Sequence, residues 1–393
     1  MLLSKIALVL SVLGKKAFLQ KLTAQTYQFQ SMKLDSPKFE GSSPPSVFIG
    51  RANYPKVFAG PMLAKEPDSF VYDAPEQWLG QYDKKNIIDF RLQLLRGMQP
   101  VEITNTGRYV QQLQDIALSK ESLYTHAEFK KIPRGVTFSE DHQPFGPSAE
   151  LARMETETGK WQKDLQKAHY DTDLTASSAV VDLAQKEIPF TSIQKALSVG
   201  AFGRAKNRKL VPTRWSITAA DDIIGKNAMT DIKRNQIIDE YRVYESQGMN
   251  NYYAVMLTPT QWQYEAIEAF NQTLGPGTFT FSDHESFFGR KEYSDMGGCY
   301  YAQRQIIAEQ LKTQQEQAGA FVFREVYKGY TPTGVWVCRE LTREALKQEP
   351  KTFKSMSEAQ HYIDSRMKLG MKYHQDRMPL LQSQGKQKTL WEF

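Results

Sequence analysis

YRVYESQGMNNYYAVMLTP, from Tyr241 to Pro259, carries two alternating apolar and polar runs joined by Gly248, Asn250 and Asn251. Tyr252, Ala254 and Met256 fall on one side of a pleat and Tyr253, Val255 and Leu257 on the other, so the stretch predicts a β-hairpin. A second hairpin is expected in SVFIGRANYPKVFAGPM, Ser46 to Met62, turning at Gly50-Arg51 and breaking at Gly60-Pro61. Between and around these hairpins the period changes to that of helices. Glu76 to Gly97 carries Trp78, Ile87, Ile88, Leu92 and Leu95 and closes on a glycine, and Arg108 to Leu118 predicts a second helix. Helices are also expected over 192–199 and Gln261 to Gln272, and from the Gly297-Gly298 pair onward. Phe321 to Val326 and Gly334 to Arg339 read as strands, and Ser355 or Ser357 as the cap of a polar carboxyl-terminal helix. The fold class that follows is α+β: short, mainly antiparallel strands with surrounding helices, in one compact body or two packed subdomains, with a flexible carboxyl-terminal tail. A doubly wound nucleotide fold is not expected, because strand and helix alternate irregularly and neither GxGxxG nor GxxxxGK[ST] occurs.

The chain has 393 residues, 24% of them charged, and a formal net charge of +6, the composition of an ordinary globular protein that tolerates a nucleic-acid partner without requiring one. Its two cysteines, Cys299 and Cys338, form no CxxC, so neither a disulfide framework nor a cysteine zinc site is expected, and a cytoplasmic location fits best. At the amino-terminus, Lys5 followed by IALVLSVL imitates an export signal. The uncharged run stops at Gly14, far short of the ~20 residues that span a bilayer, and Lys15, Lys16 and Lys21 follow it. Ile6, Leu10, Leu13 and Ala17 instead recur at helical spacing, so no membrane is involved and a helix packing onto the body is expected. SPKFEGSSPP, residues 36–45, reads as a linker, and Gly275-Pro276-Gly277 as a domain break.

The strongest charge signal lies in SVGAFGRAKNRKLVPTRWSITAADD, Ser198 to Asp222. Arg204, Lys206, Arg208, Lys209 and Arg214 share an eleven-residue window without an acid. Such crowding suits a solvated loop or a polyanion held by charge and forked guanidinium bonds. Gly200 and Gly203 permit close backbone approach, and Trp215 offers a stacking face. Trp215, Ile217 and Ala219 are read as a short strand ending at Asp221 and Asp222. Arg51, at a strand end, and Arg290 with Lys291, ahead of the Gly297-Gly298 helix start, are further phosphate-contact candidates.

Acids supply the catalytic candidates. Asp171 and Asp173, beside His169, offer oxygen ligands at alternate positions for a divalent metal, although Asp173 is as well suited to capping the following helix. With Asp221 and Asp222 they form one enzymatic alternative, a metal-dependent nuclease. A nucleotide-using transferase is another, with Arg51, Arg208 and Arg214 holding a diphosphate and Glu325 as the acid. A non-catalytic adaptor is the third.

The carboxyl-terminal SQGKQKTLWEF places Gln387, Leu390 and Phe393 three apart, so one 3₁₀ turn lets leucine and phenylalanine fill an apolar pocket while glutamine hydrogen-bonds beside it. This is similar to the PIP motif by which repair proteins dock on the sliding clamp, PCNA.

Together with PPSVFIGRANYPKVFAGPM, FGPSAEL, DTDL, ALSVGAFGRAKNRKLVPTRWSITAADD, GRKEYSDMGGCYYAQR and FREVYKGYTPTGVW, these features make the sequence resemble the archaeal Nre family of DNA repair proteins along nearly its whole length. The resemblance divides the chain into an amino-terminal helix (1–35), an Nre N-terminal domain holding the basic window (36–274), an Nre C-terminal domain (278–378) and a tail with the PIP motif (379–393). It implies a protein that binds DNA and works with PCNA in the DNA damage response. Family members often carry a cysteine-rich finger at the amino-terminus. The matching LGKKAFLQKL has no cysteine, so zinc is not expected, and Lys15, Lys16 and Lys21 would have to replace any DNA contact the finger makes.

Overall fold

The computed structural model describes residues 14–23 and 29–384. Gln387, Leu390 and Phe393, like Ile6, Leu10 and Leu13, lie outside the described residues. The chain forms two compact units, one from Tyr27–Ile224 and the other from Met1–Thr26 with Gly225–Phe393.

In the Tyr27–Ile224 unit, six strands form one sheet: β1 (Lys38–Ser43), β2 (Val47–Ile49), β3 (Lys56–Leu63), β4 (Leu95–Glu102), β5 (Leu123–Phe129) and β6 (Ser148–Thr156). Their order is β1-β5-β6-β4-β3-β2, and of these pairings β4 with β6 is parallel and the rest antiparallel. β5 buries Leu123, Thr125, Ala127 and Phe129 and exposes the residues between, the alternation of a sheet with one covered face. Helices Arg108–Leu118, Lys163–Tyr170, Ala176–Gln185 and Phe190–Ser198 supply Leu113, Ile116, Leu165, Val180, Ile193 and Leu197 to the same core as Val57 and Leu95.

Around the strands of this sheet, three expectations fail. The supposed linker at 36–45 contains β1, because Phe39 buries against the core and the backbone pairs along β5. Gly60-Pro61 does not end its strand: a Cβ on Gly60 would stand 1.9 Å from the Gly97 carbonyl oxygen, so glycine there lets β3 pass close to β4. Gly97 is likewise no helix stop. The helix of that region is the shorter Lys84–Leu92, capped by Asp83, and Gly97 sits in β4.

In the second unit the sheet order is β11-β10-β13-β9-β8-β14, from β8 (Tyr241–Gly248), β9 (Asn251–Thr258), β10 (Tyr264–Asn271), β11 (Thr278–Glu285), β13 (Gly319–Val326) and β14 (Lys351–Phe353). β10 and β13 are parallel and their neighbours antiparallel. A separate parallel pair joins β7 (Gln236–Ile237) to β12 (Glu316–Gln317). The predicted hairpin is β8 and β9, with Met249 and Asn250 at φ of 52° and 60° in its turn. The helix Lys15–Thr23 belongs to this unit and packs Phe18 against the rings of Phe270, Phe279 and Phe281. No described helix is long and apolar enough to cross a membrane.

Here too the period misleads. Residues 264–271 form β10 rather than a helix, because this strand is buried on both faces and its apolar residues need not alternate. Gly275-Pro276-Gly277 is the turn between β10 and β11, closed by the Gln272 amide on the Gly277 carbonyl. Trp336–Leu346 is a helix where a strand was expected, a confusion inherent in short apolar runs. Ser355 does cap Met356–Arg366, in a full capping box with Glu358.

Candidate anion-binding cleft and basic surfaces

The basic window folds in two parts. Arg204, Lys206 and Lys209 are exposed on a loop that includes a 3₁₀ turn, Ala205–Asn207, and none of them has an acidic partner among the described residues. Gly200, at φ 65°, would place a Cβ 2.6 Å from the Lys209 carbonyl, so its glycine closes the loop on itself rather than admitting a ligand. Arg208 is used to hold the loop: its Nε donates to the Gly203 carbonyl at 2.7 Å and its Nη2 to the Asp171 carbonyl at 3.0 Å.

Trp215 to Asp222 are not a strand. They belong to the helix Thr213–Ile232, where Ser216, Ile217, Ala220, Asp221 and Ile224 are buried at helical spacing. Asp221 is therefore in the core and Asp222 is partly covered. Asp171 accepts from the Asp173 and Leu174 amides, and the following helix is capped by Thr175, not by Asp173. Among the described residues, no three of Asp171, Asp173, Asp221 and Asp222 lie close enough to share an ion. Glu325 belongs to the second unit. It accepts from Tyr327 Oη and from the Lys368 and Leu369 amides, a saturated buried carboxylate.

Arg51 and Arg214 do converge, on a cleft of about 340 Å³ in the Tyr27–Ile224 unit. Arg51 is exposed in the turn after β2, and Arg214 opens the helix Thr213–Ile232 with its Nε 3.1 Å from an Asp141 carboxylate oxygen. The third guanidinium on the wall is Arg96, from β4. It lies 4.3 Å over the Phe48 ring and 5.4 Å from the Phe145 centroid, and its Nη2 donates to the Phe58 carbonyl. Among the described residues its buried Nε has no hydrogen-bond partner and no carboxylate pairs with it; burial lowers its pKa to about 10. His142 packs edge-on against Phe48, its ring 4.7 Å away. Burial pushes its pKa down to about 4, so it is neutral at physiological pH. Its Nδ1 contacts the Gln143 carbonyl at 2.8 Å, which fixes the proton on Nδ1 and the lone pair on Nε2. Neither Arg96 nor His142 stands out in the sequence: His142 opens the Pro- and Gly-rich HQPFGPSAEL segment, residues 142–151, and Arg96 meets it only through the pairing of β4 with β6, where it is the register partner of Ser148.

The second unit has its own basic trough, of about 520 Å³, lined by Lys226, Lys233, Arg234, Arg290 and Arg304 with no acid among the described residues of its wall. Phe288 beside them is 92% exposed. Arg290 reaches this trough but is already held by Asp283 at 2.7 Å, and Lys291 is exposed. The Gly297-Gly298 helix start is no open anion site: Gly298, Cys299 and Tyr300 are buried there, and Lys15 donates to the Met296 carbonyl. Lys15 also pairs with buried Glu268, so it is not free for DNA.

Two family models match the chain, "Archaeal Nre, N-terminal" over residues 11–274 and "Archaeal Nre, C-terminal" over 285–393. The DNA repair protein NreB of Archaeoglobus fulgidus is 36% identical over 363 residues, covering 90% of this chain and 91% of that protein. The DNA repair protein NreA of the same organism is 31% identical over 341 residues, 85% and 87% of the two chains. NreA of Haloferax volcanii is 29% identical over 331 residues, 79% and 78%. No solved structure matches. The chain, matched over residues 11–274 and 285–393 by the two halves of one family, belongs to the archaeal Nre family.

Proposed function

We propose that this protein is a cytoplasmic DNA repair factor that binds DNA through its basic loop and is recruited to the sliding clamp PCNA by Gln387, Leu390 and Phe393. The observation that carries the DNA part is the loop at 204–209: three exposed cations, Arg204, Lys206 and Lys209, with no acid nearby to satisfy them among the described residues. When such cations neutralise phosphates, the counterions condensed on the DNA are released, which is the main source of non-specific DNA affinity. Trp215, six residues beyond the loop in sequence, is 43% exposed, and its ring lies 5.1 Å from that of Tyr54, an aromatic pair on which a base can stack. The relatives named as DNA repair proteins support the repair context.

Two titrations test the reading. Labelled duplex DNA is titrated with the wild type and with Arg204→Ala/Lys206→Ala/Lys209→Ala, and clamp is titrated calorimetrically with the full chain and with a form lacking 387–393. DNA affinity that survives the triple substitution, or clamp binding indifferent to the truncation, overturns the corresponding half.

A further inference from the structure

The 340 Å³ cleft between the β2–β3 turn, β4 and the 137–145 segment is not needed for holding a DNA backbone on the 204–209 loop. Its charge is unbalanced in a particular way. Three guanidinium groups face one carboxylate, Asp141, and that carboxylate is committed to Arg214. Arg51 is exposed, without an acidic partner among the described residues. Arg96 is held against Phe48 and Phe145 with no carboxylate paired to it among the described residues, and a guanidinium removed from water without a counter-charge is unfavourable unless something else supplies that charge. An anion entering between Arg51 and Arg96 would do so, with the forked donor geometry that phosphate oxygens match.

The remainder of the wall limits what the anion is attached to. Phe48 and Phe145 present aromatic surface with ring centroids 5.0 Å apart. Thr137 and Ser139 add hydroxyls, and His142 Nε2 adds an acceptor. Aromatic rings, small polar groups and guanidinium groups lining one cleft suit a planar base, a sugar and a phosphate, and the volume falls within the range of small-molecule sites. We propose that this cleft binds a nucleoside phosphate, its phosphate on Arg51 and Arg96 and its base against Phe48 and Phe145. The same chemistry is offered by a free nucleotide and by the 5′-phosphorylated terminal nucleotide of a DNA strand.

The full chain would be titrated calorimetrically with AMP, thymidine monophosphate, ADP, adenosine and inorganic phosphate. A short single strand carrying either a 5′-phosphate or a 5′-hydroxyl completes the set. Binding of at least one nucleotide or of the phosphorylated strand is expected, at least tenfold tighter than adenosine, inorganic phosphate or the hydroxyl-ended strand. Arg51→Ala, at an exposed position where the fold is not at risk, should weaken that binding at least tenfold, as should Arg96→Gln. Arg96→Lys, which keeps the charge but not the fork, should fall between. Binding of the mononucleotides assigns the free ligand, and binding confined to the phosphorylated strand assigns the DNA end; both uphold the proposal. No binding by any probe, inorganic phosphate binding as well as the nucleotides, or affinity unchanged in Arg51→Ala overturns it. The loop variant Arg204→Ala/Lys206→Ala/Lys209→Ala should retain nucleotide binding, which separates failure of this proposal from failure of the DNA-binding one.

Discussion

Arg324 and Glu268 are register partners on the parallel strands β13 and β10, with Arg324 Nη1 2.6 Å from a Glu268 carboxylate oxygen and both side chains fully buried. Lys15 donates to the same carboxylate from the amino-terminal helix, and Arg324 Nε donates to Asn251 Oδ1 at 2.9 Å. Burial opposes ionisation of Glu268, and the two cations outweigh it, holding the carboxyl below its usual range. Removing the acid alone leaves both cations, Arg324 in the sheet and Lys15 on the helix, without this carboxylate. Glu268→Ala should therefore cost about 3–5 kcal/mol of unfolding free energy, the range for breaking a buried ion pair. Urea denaturation measures it, and a loss under ~1 kcal/mol would place this pair with exposed ones.

DNA affinity should respond to salt in proportion to the cations that touch phosphate. If Arg204, Lys206 and Lys209 each neutralise one phosphate, replacing all three with alanine should lower the slope of log K against log salt by about 3. Their side chains are exposed and have no acidic partner among the described residues, so the melting temperature should hardly move. An unchanged slope with weaker binding would mean that the loop acts by shape instead of charge.

For the tail, Leu390→Ala with Phe393→Ala should abolish measurable clamp binding, whereas Trp391→Ala should cost much less, because position 391 falls off the i, i+3, i+6 face. Equal losses from the two variants would contradict the 3₁₀ docking of the motif.

Turns and caps were legible in the sequence where a residue type is demanded locally: Gly248 to Asn251 between β8 and β9, or Ser355 with Glu358 at a helix start. Strand β10 was not, since burial on both faces erases the alternation that marks a strand, and its two glutamates satisfy partners distant in sequence. The helix Thr213–Ile232 was missed because three alternating residues outweighed a longer helical spacing. The cleft divides in the same way. Arg51 and Arg214 were recognisable as cations in suggestive surroundings, but their convergence with Arg96 depends on the β3–β4 pairing, which no local pattern encodes. Arg208 shows the converse: it sits in the densest run of charge, yet two backbone carbonyls occupy it.

The other β10 glutamate gives a prediction in pH. Glu265 accepts from the Leu380 and Leu381 amides, at 3.3 and 2.9 Å, where the helix Pro379–Gln384 begins. Burial outweighs these bonds and pushes its pKa up to about 7. The unfolded chain releases this proton near 4.5, well before the folded protein does, so between the two values the folded state binds more protons. The stability this group contributes is fully present below about 4.5 and is lost as pH rises through about 7. The full span corresponds to about 3 kcal/mol, at ~1.4 kcal/mol per pKa unit. Glu265→Gln keeps an oxygen for the Leu381 amide and removes the titration. Urea denaturation at pH 5, 6, 7 and 8 should show the wild type losing stability relative to Glu265→Gln as pH rises. Other carboxylates titrate in both proteins and cancel in the comparison. A difference that stays constant over this range would mean that Glu265 ionises in the folded protein as readily as in water.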